Sequence, residues 1–483
     1  MGKGLITARV RRGAAIALAA ALAGCTAVAP ELQHATLPMP KPAQAEMTSA
    51  AQRENQRILG AYGGVYENAK LQAMVNKLVG RLVAASERPD LKYHVTVLNS
   101  PAINAFALPN GQLYVTRGLL ALANDESELA SVLAHEMGHV IARHAQLREE
   151  KVRDAEIANR VPSEVVNDPQ MSALALAKSK LALATFSREQ EFEADGIGVG
   201  ISARAGLDPY GASRMLADMQ RNSDLTSGAG EHTIDFLSNH PSTPQRIRNV
   251  ITDARKLSGP GIGQREHRQY LADLNGAVYG EDPSEGYVRG RRFIHSKLGF
   301  TFLAPPGFTL DNTALAVLGL KDGGAQALRL DVVSVPAEQS LSDYLKSGWI
   351  ENVDRASVED FTLNGFAAAS ASANGREWSF RLYVVRFGSD VYRFIYAAKH
   401  MTPQIEASFR QSIDTFRRMS LKEAAEVKPL RIHIVTVGPH DTVASLARRM
   451  QVSDHRLERF RVLNGLGPKD QVKPGSEAKI VTE

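Results

Sequence analysis

The pentapeptide His135-Glu136-Met137-Gly138-His139 brings two imidazoles and one carboxylate together in the sequence. Each residue of an α-helix turns the chain by about 100°, so His135 and His139 lie on one helical face about one turn apart. Both rings can then bind one metal ion, while Glu136 faces a water beside that ion and can exchange a proton with it. The pattern predicts a hydrolytic centre with Glu136 as general acid/base and one zinc ion per chain.

Two histidines are half of a tetrahedral site, so a further protein ligand is required. His144 follows His139 by five residues, which places it about 140° round the helix from that ligand. The glycine that would let the chain turn back toward the metal is absent, because Ala142 occupies its position. His144 is therefore predicted to pack beside the site or to contact one of its ligands.

An acidic cluster from Ser187 to Asp195 supplies better candidates for the third ligand. A cluster of this kind is most often the solvated face of a helix. Glu191 and Asp195, however, share one face at i,i+4 spacing, so a metal ligand and a carboxylate that orients a ligating histidine can project into one cavity. Spacing alone does not choose Glu191 over Glu189 or Glu193.

The patterns HExGHVxxRH, which starts at His135, and SRxxExEAD, which starts at Ser187, resemble the HtpX and BepA-type gluzincin metallopeptidases, relatives of the CAAX prenyl proteases. The resemblance covers residues 51–255. It implies that Glu191, four residues before the aspartate of the Ala-Asp pair, is the third zinc ligand. HtpX-type enzymes are integral membrane proteins, and no apolar run after residue 25 is long enough to span a bilayer. The exported BepA type is therefore the better resemblance.

Two other segments extend this resemblance. Residues 104–111 resemble the segment that leads into the family's active-site edge strand, where a substrate backbone adds as an extra strand, although their Pro-Asn-Gly turn equally suits an ordinary hairpin. Residues 239–246 resemble the family's His-Pro element. The resemblance implies that His240 is a removable fourth ligand or binds the oxyanion, and that Arg246 holds Asp195 or the substrate carbonyl. The alternative for His240 is a packed, capping histidine.

The residues around these motifs predict the elements that position them. A mainly helical, zincin-like domain with a small sheet is expected over residues 51–257. With 483 residues, of which 44% are hydrophobic, the chain can form several cores, so the expected fold class is α+β multidomain. The predicted helices of the first domain are Leu71–Ala84, Glu126–Arg143 and Ser172–Ala205, and its predicted strands are Tyr93–Leu98 and Gln112–Thr116.

A linker and a second domain are expected next. A Gly/Pro-rich and polar stretch predicts the linker over residues 258–286. An α+β domain without recognisable chemistry is expected over residues 287–419. Its predicted strands are Arg292–Leu303, Ala327–Val335, Phe366–Ala373, Trp378–Phe387 and Tyr392–Ala398, followed by a helix from Pro403 to Met419.

Residues 430–483 have a predicted βααβ order that resembles a LysM glycan-binding module. The resemblance rests on Asp441-Thr442 before the first helix, Leu463-Asn464-Gly465 after the second, and Lys473-Pro474-Gly475 before the last strand. It implies peptidoglycan as a partner of this module. His440 stands where that family usually has glycine, so the binding function is open at this point.

The first residues predict export and a lipid anchor. Four basic residues precede a short apolar run, which is typical of a signal peptide over residues 1–25. The run ends in Leu22-Ala23-Gly24-Cys25, which resembles a bacterial lipobox and implies lipidation of Cys25. Thr26 resembles outer-membrane rather than inner-membrane sorting. Residues 26–50, rich in Ala and Pro, are expected to form a flexible tether.

Cysteine count and charge exclude two classes of interaction. Cys25 is the only cysteine, so the chain forms no intrachain disulfide. The net charge of +5 falls to +1 once the four basic residues of the signal peptide are removed. A balance this close to zero predicts no nucleic-acid partner.

The sequence therefore predicts a periplasmic zinc endopeptidase, anchored to the outer membrane as a lipoprotein, that acts on unfolded or misassembled envelope proteins. The protease chemistry follows from the motif, whereas the substrate class follows from analogy with the family. Two alternatives stand beside it. One is a peptidoglycan-associated binding protein with a regulatory or idle peptidase, and the other is a hydrolase of peptidoglycan stem peptides.

Overall fold

The computed structural model describes residues 50–147, 186–226 and 236–483, which form a catalytic unit, a middle domain and a C-terminal unit. The predicted α+β multidomain fold class is confirmed. The predicted signal peptide with Cys25, and the tether up to residue 49, lie outside the described residues.

The catalytic unit packs helices around a small sheet. Strand β1 pairs parallel with β3, and β2 pairs antiparallel with the other edge of β3. Its elements are α1 (Ala50–Ala61), α2 (Ala69–Ala85), β1 (His94–Leu98), β2 (Ala105–Ala107), β3 (Gln112–Thr116), α3 (Arg117–Leu122), α4 (Glu126–Ile141), α5 (Arg188–Arg204), α6 (Gly211–Thr226), α7 (Phe236–Asn239), α8 (Pro244–Leu257) and α9 (His267–Leu274).

Helix α4, which carries both motif histidines, is the centre of this unit. Asp125 caps its start by accepting a hydrogen bond from the backbone N–H of Glu128, and every residue from Glu126 to His139 is buried. The helix ends at Ile141, two residues before the predicted end. Arg143 adopts a left-handed backbone with φ 58°, which is incompatible with continuing the helix.

The second metal-site helix, α5, begins at Arg188. Ser187 and Gln190 form a capping box there, with each side chain hydrogen-bonded to the other residue's backbone N–H. The predicted helix over Ser172–Ala205 agrees with α5 in its later part. Its residues 172–185 lie outside the described residues.

Residues 258–286 are more than the predicted linker, because part of them belongs to the core of the catalytic unit. They include α9, whose Tyr270, Leu271 and Leu274 are at most 2% exposed. The stretch is polar overall, so its one short amphipathic helix was not predicted. The apolar face of this helix packs on α2 and on the elements around α4.

The middle domain consists of two antiparallel sheets with helices on their faces. Its larger sheet has the order β10-β11-β12-β13-β9-β8-β7, and its smaller sheet has the order β14-β6-β5-β4. The elements are β4 (Tyr287–Arg289), β5 (Arg292–His295), β6 (Phe300–Leu303), β7 (Thr309–Asn312), β8 (Val317–Lys321), β9 (Gln326–Val333), α10 (Leu341–Leu345), β10 (Glu359–Leu363), β11 (Phe366–Asn374), β12 (Ser379–Phe387), β13 (Asp390–Ala398), α11 (Pro403–Ile413) and β14 (Arg417–Arg418).

Two predicted elements of this domain are wrong. The single strand Arg292–Leu303 is a hairpin of β5 and β6, with Gly299 in its turn at φ 75°. The helix predicted to reach Met419 ends at Ile413 instead. The residues after it return to the smaller sheet, where β14 pairs with β6.

The C-terminal unit has the predicted βααβ order and is joined to the catalytic unit by main-chain pairing. Residues 276–279 run along the free edge of its first strand: Ile432 N–H donates to Ala277 O at 2.9 Å, and Tyr279 N–H donates to Leu430 O at 2.8 Å. After α12 (Leu421–Glu426), the elements are β15 (Arg431–Thr436), α13 (Val443–Arg448), α14 (Arg456–Leu463) and β16 (Glu477–Thr482).

A buried carboxyl group at the junction of the catalytic unit and the middle domain predicts a pH-dependent stability. Glu285 is 8% exposed, and burial raises its pKa to about 7 against the opposing charge of Arg117. In the unfolded chain this group ionises near pH 4.5. Between these values the folded state holds a proton that the unfolded state has lost, so stability falls as pH rises through this window, by up to about 3 kcal/mol.

The test compares urea unfolding of the parent and of Glu285→Gln at pH 5 and pH 8. We expect the urea midpoint of the parent to fall between pH 5 and pH 8. The midpoint of Glu285→Gln should fall much less over the same range. The exposed Glu67 supplies the control, Glu67→Gln. Identical pH dependence in the parent and Glu285→Gln would show that Glu285 carries no such linkage.

Candidate metal centre

The metal centre forms where helices α4 and α5 cross at very short range. A Cβ atom on Gly138 would lie 2.9 Å from Ala194 O, and one on Gly198 would lie 2.9 Å from His135 N. No side chain fits at either crossing point without moving the other backbone. The two glycines therefore bring the histidines of α4 within reach of the carboxylates of α5.

Four side chains converge at this crossing: His135, His139, Glu191 and His240. One donor atom from each lies within 4.8 Å of all the others, and each residue is at most 5% exposed. The Nε2 atoms of His135 and His139 are 3.0 Å apart, and Nδ1 of His240 lies 3.2 Å from Nε2 of His135 and 2.9 Å from Oε1 of Glu191. All four residues are those named from the sequence.

This donor set fits a divalent metal ion. Two ring nitrogens that face each other at 3.0 Å share at most one proton between them, and a third nitrogen and a carboxylate oxygen point to the same place. Burial lowers the pKa of His139 well below its usual range and so keeps the neutral form that binds metals. Imidazole and carboxylate donors in this number match the ligands that zinc takes in proteins.

Glu191 is ionised in this environment. Burial alone would raise its pKa, but hydrogen bonds from His139 and His240 outweigh it and hold the pKa far below the ordinary value. Glu189 and Glu193, the alternatives that spacing left open, are exposed. The geometry therefore brings Glu191, and neither of those two, to the histidines.

Arg246 and Asp195 form the support beneath the donors. Arg246 donates to both carboxylate oxygens of Asp195, at 2.8 and 2.7 Å, and its Nη1 lies 2.6 Å from Oε2 of Glu191. Asp195 Oδ1 in turn lies 2.9 Å from Nδ1 of His135, so it faces the ring nitrogen opposite the metal side. Such a carboxylate fixes the tautomer and orientation of a ligating histidine.

His240 is tied to the same arginine through its backbone. Arg246 Nη1 donates to the carbonyl oxygens of His240 and Pro241 at 3.0 and 3.3 Å. Thr243 caps α8 by accepting from Arg246 N–H, so the His-Pro element and the arginine are held in one turn. His240 itself faces the donors and does not cap a helix with its side chain.

His144 contacts a ligand from outside, which is one of the two positions predicted for it. Its Nδ1 lies 2.8 Å from Nδ1 of His139, and its Nε2 lies 3.2 Å from Oε2 of Glu193. When His139 uses Nε2 toward a metal, its Nδ1 carries a hydrogen and donates it to His144. Glu193 then accepts a hydrogen bond from His144 and so orients its ring. The sequence analysis did not assign this role to Glu193.

Glu136 lies between His240 and the edge of the small sheet. Its Oε1 is 3.6 Å from Nε2 of His240, and its carboxylate accepts a hydrogen bond from the backbone N–H of Ala107 in β2. Burial raises the pKa of Glu136, while the two neighbouring histidines His240 and His135 oppose the shift. Its Oε1 has no hydrogen-bond partner among the described residues, so the atom is free to take a proton.

The structure shows the hairpin predicted for segment 104–111, while the binding of a substrate strand along it stays a prediction. The segment forms the hairpin of β2 and β3, with Gly111 at φ 84° in the turn. Strand β2 is also an outer strand of the three-stranded sheet, and it lies next to Glu136. A backbone added along β2 would therefore run past the metal centre.

Two aromatic residues of the site were missed in the sequence. Phe236 stacks on His240 with ring centroids 4.5 Å apart, and Phe186 stacks on His139 at 3.9 Å. Phe186 lies in the predicted helix Ser172–Ala205 and Phe236 lies outside every predicted element, and neither residue belongs to a metal-ligand motif that would have singled it out. Each places an apolar ring against an imidazole of the site.

A buried helix with two histidines and a glutamate, completed by a glutamate from a second helix, defines a metallopeptidase site. Residues 66–253 match the family model described as Peptidase family M48. This part of the chain is a metalloendopeptidase domain. Among the described residues, no helix combines the length and apolarity needed to cross a membrane.

Curated relatives match the same part of the chain. Mitochondrial metalloendopeptidase OMA1 of Schizosaccharomyces pombe is 34% identical over 177 residues, which are 36% of this chain and 51% of that protein. The Beta-barrel assembly-enhancing protease of Yersinia pestis is 42% identical over 84 residues, 17% of each chain. The Saccharomyces cerevisiae OMA1 is 29% identical over 162 residues, 33% of this chain and 46% of its own. The chain thus spans about half or less of the length of these relatives.

Replacing Glu191 tests the ligand assignment. We expect Glu191→Gln to lower zinc affinity by more than about 100-fold, since even the outer partners of metal ligands contribute about 10- to 100-fold. The measurement is zinc content after dialysis against a graded series of chelator concentrations. Glu189→Gln should bind zinc like the parent, and Glu193→Gln should stay near it. Loss of zinc from Glu193→Gln with retention in Glu191→Gln would reverse the assignment.

Proposed function

We propose that this protein is a zinc-dependent endopeptidase whose ligands are His135, His139 and Glu191 and whose general acid/base is Glu136. The observation that carries the proposal is the convergence of these buried donors beside β2, an outer strand of the small sheet as far as the described residues show, with Glu136 against its outer edge. Bound there, zinc supplies Lewis acidity to the carbonyl that is attacked and to the water that attacks it.

Glu136 moves the proton in this reaction. Its carboxylate takes the proton from the attacking water and returns it to the amine that leaves. The raised pKa of the buried Glu136 suits both steps, because it brings the group's proton affinity closer to the working pH. The Ala107 N–H holds the carboxylate in place at the edge where a substrate strand would lie.

His240 and Arg246 have separate roles in the proposal. His240 is close enough to Glu191 and His135 to act as a fourth, removable ligand. Arg246 holds Asp195, which orients the ring of His135, and it also anchors the backbone of His240. These contacts make Arg246 a support for the ligands. The resemblance implied that it holds either Asp195 or the substrate carbonyl, and we assign it to Asp195.

The proposed substrates are unfolded or misassembled proteins of the cell envelope. The name of one relative, Beta-barrel assembly-enhancing protease, supports this class, as does the predicted export of the chain. An extended backbone bound along β2 requires a substrate segment without its own secondary structure, which unfolded proteins supply. Pairing along β2 gives no reason to favour the short stem peptides of peptidoglycan as substrates.

Glu136→Gln separates the chemistry from metal binding. We expect this variant to bind zinc like the parent and to cleave casein at least about 100-fold more slowly, because it lacks the proton acceptor. The measurements are elemental analysis and casein cleavage on residues 26–483. Purified peptidoglycan stem peptides form the second arm of the assay. Glu136-dependent products from those peptides alone would contradict the proposed substrate class, and equal casein cleavage by both proteins would contradict the mechanism.

We also propose that Cys25 carries a lipid anchor in the outer membrane. In a bacterium with two membranes, the full-length parent should fractionate with outer-membrane vesicles on a density gradient, and Cys25→Ser should not. Thr26→Asp is the matched variant, since it changes the sorting position and leaves the lipidated cysteine. It should move the protein to the inner membrane. Cofractionation of Cys25→Ser with the outer membrane would refute the anchor.

A further inference from the structure

The connection between α3 and α4 presents a run of buried backbone carbonyls. Helix α3 ends at Leu122, and the last carbonyls of a helix have no partner within it. Ala121, Leu122 and Ala123 are at most 4% exposed, so water does not supply the missing donors. A buried carbonyl without a donor is costly, which means that other parts of the protein must provide hydrogen bonds here.

The C-terminal unit provides most of these donors through one side chain. The ammonium group of Lys479, in β16, donates to Ala121 O at 2.8 Å, to Leu122 O at 3.1 Å and to Ala123 O at 2.9 Å. Lys479 is 0% exposed. The flanking carbonyls are bound from α9: Tyr270 OH donates to Leu120 O, and the ring of His267 contacts Asn124 O, both at 2.7 Å.

The same connection holds the first turn of the metal-binding helix. Glu128 of α4 accepts from Asn124 N–H at 2.8 Å, and Asp125 accepts from Glu128 N–H at 2.9 Å. Both carboxylates attract the ammonium of Lys479. Arg214 also contacts both of them, and Arg265 contacts Asp125 at 2.6 Å. Burial lowers the pKa of Lys479 to about 7, although the two carboxylates oppose this shift. Its three carbonyl acceptors match the three hydrogens of an ammonium group, and in that form the lysine is one of three cations around the start of α4.

We propose that Lys479 is a positioning residue for the metal centre. Through this side chain the C-terminal unit holds α4 in place and forms part of the peptidase. The proposal rests on the function proposed above. From Asp125 to His135 the helix is continuous and buried, a distance of about 15 Å. A shift of its first turn would therefore move His135 and His139 against the glutamate that α5 fixes on the other side of the site.

The alternative is that the hydrogen bonds of Lys479 only add stability to the fold. It predicts that a protein without the ammonium melts earlier but, while folded, binds metal and cleaves as the parent does. The positioning role predicts changes in the folded protein at a temperature well below melting. The two roles therefore differ in the properties of the folded state.

The experiment compares Lys479→Met, Lys479→Arg and the exposed-site control Lys473→Met in the chain from residue 26 to residue 483. In Lys479→Met we expect amide hydrogens of residues 126–134 to exchange about tenfold faster in the metal-free protein. We also expect zinc to dissociate about tenfold faster into a chelator, and kcat for casein to fall about tenfold with little change in KM. Lys479→Arg should restore most of each value, because it keeps a buried cation, and Lys473→Met should behave as the parent.

Parent-like exchange, zinc dissociation and kcat in Lys479→Met, with only a lower melting temperature, would overturn the proposal. Lys479→Gln replaces Lys479→Met if the latter does not fold, since its amide retains hydrogen-bond donors without the charge. If the parent cleaves no substrate, the proposed function fails. The exchange and zinc measurements then still decide whether Lys479 positions the metal-binding helix.

Discussion

The structure depends on burying a helix that carries charged and metal-binding side chains. Helix α4 is buried along almost its whole length, so each polar group on it needs a partner inside the protein. Its start is held by Asp125, Arg214 and Lys479, and its metal-binding end by α5 and Arg246. The rest of the catalytic unit is arranged to supply these partners.

Arg246 shows how much one side chain contributes to this arrangement. It is 2% exposed, and it contacts two carboxylates of α5 and the backbone carbonyls of His240 and Pro241. Two carboxylates placed this close together would repel each other without a cation between them. Because the guanidinium is planar and has several donors, it can hold Asp195 and Glu191 in different directions at the same time.

The sequence predicted the local elements well because their signals are local. The spacing of His135 and His139, the i,i+4 pair Glu191 and Asp195, and the alternation of β1 and β3 each depend on a few neighbouring residues. The ends of elements were less predictable, as with Arg143, whose left-handed backbone carries no mark in the sequence. The aromatic residues Phe186 and Phe236 were missed because only the fold brings them to the histidines.

The larger errors concerned which segments belong together. Residues 258–286 have the composition of a linker, yet their buried helix α9 packs into the catalytic unit. Likewise, the C-terminal residues look like an independent module, and nothing in their pattern reveals the pairing of β15 with residues 276–279. Contacts of this kind join distant parts of the chain, and one sequence contains no periodic signal for them.

The long separation of these contacts constrains when the enzyme can become complete. His139 and Glu191 come from two different helices of the catalytic unit, and Lys479 meets Leu122 across 357 residues. Contacts so distant form late, because the loops that they close carry a large entropy cost. A chain still emerging from a ribosome or a translocation channel would therefore lack a finished centre. If Lys479 positions α4 as proposed, the site would be complete only after β16 had been synthesised and had docked.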